Sequence, residues 1–163
     1  MSGTGKTTLS KALQLRGYKS VDLDTEDYSM WVDAEPDPEY PDNEVKPGKD
    51  WVWNEDRVYQ LFSVQSNELL FICGCASNMA KFYSYISVIV LLTAPARVLA
   101  DRLASRQPGT YGSSPEQIAR VLRLQQTIEP LLRRTAQLEV DTQTPDEVTV
   151  ELLLNQVDKI ISG

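Results

Sequence analysis

The sequence predicts a single α/β domain built in three layers: a mostly parallel central sheet, helices on both faces and a short lid. Three observations point there. A turn rich in glycine and hydroxyls opens directly into an amphipathic helix near the start of the chain. Short apolar runs then alternate with helical patterns, as they do where parallel strands are covered on both sides. At 163 residues and 42% hydrophobic composition, the chain can bury one core and is too short for two.

The elements follow in order. Leu9, Ala12 and Leu13 stand at helical spacing between Lys6 and Arg16, and Gly17 suits a helix end. Residues 18–23 alternate and finish in acids, which reads as a strand running toward a site. Residues 33–50 form an acidic insertion carrying Pro36, Pro38, Pro41, Pro47 and Gly48, unable to sustain a helix or a sheet interior. Asn54 caps an expected helix over 55–66, followed by strands at 69–75 and 86–93. Pro95 opens a helix to about residue 106, and residues 107–114 form a lid-like loop. Ser114, Pro115, Glu116 and Gln117 make a capping-box start for a long helix to about residue 135. A short strand at 138–141 precedes a last helix entered through Thr144, Pro145, Asp146 and Glu147, with Val148, Leu152, Val157 and Ile160 as core candidates.

Composition excludes several functions. The net charge of −7 would repel a phosphate backbone, and the basic residues are scattered, so nucleic acid is not an expected partner. No run of about 18 apolar residues is present to span a bilayer, and no charged-then-apolar leader opens the chain. The expectation is a cytoplasmic monomer or homodimer away from membranes. Cys73 and Cys75, separated by Gly74, lack zinc-ligand spacing and read as two reduced thiols. With no histidine in the chain, acid–base work falls to Asp, Glu or Lys.

The chemistry concentrates at Ser2, Gly3, Thr4, Gly5, Lys6, Thr7 and Thr8, which carry the turn, lysine and hydroxyl of a Walker A loop. Gly3 and Gly5 let the backbone curl so that amide hydrogens face a phosphate, and the helix N-terminus adds its positive end. Lys6 offers a point charge to the β and γ phosphates of ATP, Thr7 a magnesium ligand, and Thr8 a contact to the α-phosphate. The full pattern requires a glycine five positions before Gly5, upstream of Met1.

With these residues in view, the chain resembles the P-loop small-molecule kinases of the adenylate-kinase and shikimate-kinase type over nearly its whole length. Asp22 and Asp24, in Val21-Asp22-Leu23-Asp24, resemble the D-x-D that ends the second strand of shikimate kinases. The resemblance implies that Asp22 assists Mg2+ and that Asp24 meets the acceptor hydroxyl. Ala94 and Pro95, followed by Arg102 and Arg106, resemble the helix before the lid, whose arginines face the nucleotide and the transferred phosphate. Pro130 through Thr142 is similar to a run that precedes the last helix of shikimate kinases. Ile128 replaces the arginine that holds a carboxylate there, so shikimate specificity is not carried over.

Bland alternatives stand beside these assignments. Asp22 and Asp24 also suit a solvated turn, and Arg102 and Arg106 a surface ion pair at i, i+4. Asn78 and Lys81 fit either substrate contact or an ordinary turn. Arg133 and Arg134 fit either the adenine end or a favourable helix terminus. Trp31, Trp51 and Trp53 fit either an aromatic wall for a ring-bearing acceptor or anchors for the insertion. The leading expectation is an ATP- and Mg-dependent kinase acting on a small-molecule acceptor. The alternatives are a nucleotide-binding ATPase or switch, and an inactive protein. The last arises because a parallel fold of this kind expects a strand ahead of its first helix, which predicts a coding start placed one strand too late.

Overall fold

The computed structural model describes residues 2–35, 37–39, 45–64, 68–144 and 146–163. In chain order the elements are α1 (Lys6–Leu15), β1 (Lys19–Asp22), β2 (Ser29–Asp33), β3 (Lys49–Trp53), α2 (Glu55–Ser63), β4 (Leu70–Cys73), a 3-10 segment (Met79–Tyr85), β5 (Val90–Thr93), α3 (Ala96–Ala104), α4 (Pro115–Thr127), α5 (Glu129–Thr135), β6 (Leu138–Asp141) and α6 (Asp146–Ser162). They fall into two compact units, Met1–Lys6 with Val88–Gly163, and Thr7–Ser87.

In the unit Thr7–Ser87, β1 pairs in parallel with β4, Asp22 standing opposite Cys73. A buried hydroxyl pair, Ser10 to Ser20 at 2.7 Å, and Gln14 Nε2 donating to the Ser20 carbonyl at 2.6 Å tie α1 to β1. The core gathers Leu23, Trp53, Val58, Leu61, Ala76 and Phe82. Phe82 is its hub, with the rings of Tyr59, Trp53 and Phe62 at 5.0, 5.6 and 6.2 Å between centroids.

The other unit carries the second parallel pair, β5 with β6, in the register Val90 to Leu138 through Thr93 to Asp141. Leu99, Leu103, Val121, Val140, Val150, Leu153 and Val157 are buried in it. Ser114 accepts from the Gln117 amide, and the Gln117 side chain returns to the Ser114 amide, so the capping box expected for α4 is present.

The α/β class and the parallel pairings are as the sequence predicts, the pairings appearing as one two-stranded sheet in each unit. Three features differ. The insertion at 33–50 is flanked by an antiparallel hairpin, β2 with β3, whose rungs include Trp31 opposite Trp51 and Asp33 opposite Lys49. β-Branched and aromatic residues on both strands favour this pairing. Pro36 and Pro41 lie outside the described residues, as do 65–67 at the expected end of α2 and Pro145 before α6. The long helix breaks at Ile128 into α4 and α5, because Pro130 has no amide to donate and its ring crowds the preceding turn.

The core face of α6 also differs from expectation. Val148, Leu152 and Ile160 are 43%, 46% and 40% exposed, while Thr149, Val150, Leu153 and Val157 are buried. The hydroxyl of Thr149 is held by the Thr144 carbonyl and hydroxyl, which sets the rotation of the helix about 100° from the expected stripe, one residue's worth of turn.

Candidate phosphate and acceptor site

The loop lies in the unit that contains β5 and β6. Gly3 and Gly5 have φ values of +82° and +89°, the left-handed region that side chains disfavour. Space reinforces the choice at Gly3, where a Cβ would stand 3.3 Å from Leu99 Cδ2 and 3.4 Å from Leu103 Cγ. Thr4 is buried, and Lys6 follows at the first turn of α1.

Arg102 braces this loop. Its Nη1 donates to the Gly3 carbonyl at 3.2 Å and to Thr142 Oγ1 at 2.9 Å, and its Nη2 to the Thr142 carbonyl at 2.5 Å. Thr142 in turn bonds the Thr93 carbonyl through its amide at 2.9 Å and its hydroxyl at 3.1 Å. The guanidinium thus joins the loop to the C-terminal ends of β5 and β6, the edge where ligands of parallel sheets bind. Thr142 as a brace was not foreseen, and nothing in its sequence position signals it.

Arg106 joins the loop to the lid-like segment, with Nη1 donating to Ser2 Oγ at 3.0 Å and to the Tyr111 carbonyl at 2.7 Å. The segment is further held by Arg120 on the Tyr111 hydroxyl and by Gln117 Oε1 accepting from the Gly112 amide at 2.8 Å.

The carboxylates lie in the unit Thr7–Ser87. Thr7 Oγ1 donates to Asp22 Oδ2 at 2.8 Å, and Asp22 Oδ1 accepts from the Asp24 amide at 3.0 Å. Asp24 Oδ1 accepts from the Cys75 amide at 2.9 Å, so the two acids are fixed at and just after the C-terminal end of β1. A hydroxyl and a carboxylate in contact are hard oxygen donors suited to magnesium completed by phosphate and water. Among the described residues no group of three or more Cys, Asp or Glu side chains gathers to hold a metal alone.

Several of the remaining candidates bond or pack within the chain. Lys81 pairs with Glu55 at 2.6 Å, which raises the lysine's pKa and lowers the acid's. Arg133 bonds Glu139 and Glu129. The rings of Trp31 and Trp51 meet at 5.0 Å, tilted by 56°, on the hairpin, whereas Trp53 is buried. Asn78 clamps the backbone of Trp53, accepting from its amide at 3.0 Å and donating to its carbonyl at 2.9 Å.

Residues 1–123 match the family described as AAA domain. The chain belongs to that family. No curated protein matches it in sequence. Among solved structures it is similar to a shikimate kinase from Acinetobacter baumannii in complex with shikimate, at 18% identity and a TM-score of 0.59, covering 98% of this chain and 88% of that one. The AAA domain chain therefore has the fold of the P-loop small-molecule kinases. No helix among its described residues is long and apolar enough to cross a membrane.

Proposed function

We propose that the protein is an ATP- and Mg-dependent phosphotransferase acting on a hydroxyl or phosphate of a small molecule, a nucleoside, nucleotide or small metabolite. The observation that carries the reading is the Thr7 hydroxyl, next in sequence to the loop lysine, bonded to the Asp22 carboxylate at 2.8 Å. Mg-ATP bound there would supply the phosphoryl group, and the metal would supply positive charge against the phosphates.

The chain's own residues have distinct tasks in this reading. Ser2 through Thr8 present backbone amides, with Thr8 at the α-phosphate, and Lys6 neutralises charge on the β and γ phosphates. Thr7 and Asp22 hold the metal. Arg102 keeps the loop in shape through Gly3 and Thr142, and Arg106 is the arginine assigned to the transferred group. Asp24 orients the acceptor, and no histidine competes for that role.

ADP release tests the reading, measured with Mg-ATP alone and with a panel of nucleosides, sugars and nucleoside monophosphates, in the wild type and in Lys6→Ala. The expected result is release stimulated by an added acceptor and lost with Lys6. Release that no acceptor changes would favour an ATPase or switch whose acceptor is water.

A further inference from the structure

On the hairpin of β2 and β3 a cation is already seated over an aromatic ring. Lys46 Nζ lies 5.5 Å from the centroid of the Trp31 ring, within the range at which an ammonium is attracted to the negative face of an indole. Among the described residues Lys46 makes no ion pair, whereas Lys49, three positions on, is held by Asp33.

The strand register builds the place where that ammonium sits. Trp31 stands opposite Trp51, and Asp33 opposite Lys49 two positions along, on the same face because alternate residues of a strand share one. The two indoles meet at 5.0 Å, tilted by 56°, so they form a corner and not a flat stack. Trp31 is 40% exposed and Trp51 half-buried, so neither ring is sealed in the core as Trp53 is. Residues 33–50 carry seven acids against Lys46 and Lys49, so −5 of the chain's net −7 falls in this stretch. Such a charge excess raises the local concentration of cations and repels anions.

We propose that Trp31 and Trp51 form a binding site for the organic ammonium group of a soluble small molecule, with Lys46 as the resident cation that the ligand displaces. A quaternary or alkylated ammonium suits the two rings, because it is drawn to an aromatic face without needing a hydrogen-bond acceptor. The primary ammonium of Lys46 is strongly hydrated and is the weaker occupant. Charge sets the rest of the ligand: a phospholipid carrying the same headgroup would bring its phosphate against the acidic stretch. The site does not rest on the kinase reading.

The test uses the whole chain labelled with 15N-tryptophan, the indole cross-peaks being assigned by their loss in Trp31→Phe and in Trp51→Phe. Choline is titrated against dimethylbutanol, its uncharged isostere with carbon in place of nitrogen, and against phosphatidylcholine vesicles. The site predicts that choline moves the Trp31 and Trp51 cross-peaks saturably and leaves that of Trp53 in place, and that the isostere and the vesicles move neither. Lys46→Met should tighten choline binding about two- to fivefold, the competition from one exposed cation over a ring being removed. Trp31→Ala should abolish the response of Trp51; should that variant fail to fold, the isostere and Lys46→Met decide. Cross-peaks unmoved by choline, moved equally by the isostere, or moved by vesicles alone overturn the proposal, as does a choline affinity that Lys46→Met leaves unchanged or weakens.

Discussion

Arg102 shows how one side chain can brace the loop that the proposed function assigns to phosphate. Its three acceptors are neutral oxygens of the loop and of Thr142. Replacing it by leucine would leave the Gly3 carbonyl and both Thr142 oxygens short of a donor, at about 1–3 kcal/mol for each group left buried and unpaired. We expect Arg102→Leu to lower the melting temperature and to weaken Mg-ATP binding together, and Arg102→Lys to recover part of both, a lysine having no planar fork. Full retention of melting temperature in Arg102→Leu would remove the bracing role. At this scale the loop pattern singled out Thr7 and the family resemblance singled out Asp22, and the two are in contact. The brace was not legible, since it depends on a contact across 40 positions of chain, Arg102 with Thr142.

Elements whose ends carry chemical punctuation were legible too. Asn54 caps α2 by accepting from the Arg57 amide, and Ser114 with Gln117 caps α4, both as the sequence predicts. The hairpin of β2 and β3 was missed because Pro-rich sequence between its strands drew attention from the short aromatic runs on either side. The rotation of α6 was missed because its apolar residues, Val148, Val150, Leu152, Leu153 and Leu154, are dense enough to suit two stripes. The Thr144 to Thr149 contact goes with the stripe that is buried. Between α5 and β6, Arg133 reaches the two oxygens of Glu139 at 2.8 and 3.0 Å, and those hydrogen bonds hold the Glu139 pKa below its ordinary 4.5. A carboxylate with a depressed folded pKa contributes stability above its unfolded pKa and loses it as pH falls through the folded one. The wild type should therefore lose melting temperature more steeply than Glu139→Gln between about pH 5 and about pH 3. Equal slopes would leave this ion pair without effect on acid stability.

For the whole molecule, alternation of strands and helices made the α/β class legible, and the match to a kinase structure over 98% of the chain agrees with it. The division into two units was not legible, because it cuts between Lys6 and Thr7 inside α1, where the sequence shows one uninterrupted helix. A ligand that binds only the native state raises stability by RT ln(1 + [L]/Kd), about 2.7 kcal/mol at one hundred times Kd. The most direct measurement is thus the melting temperature of the wild type and of Lys6→Ala across a Mg-ATP titration. The account predicts a rise that grows with the logarithm of ATP concentration and vanishes in Lys6→Ala; no rise in the wild type, or one that Lys6→Ala keeps in full, would contradict it.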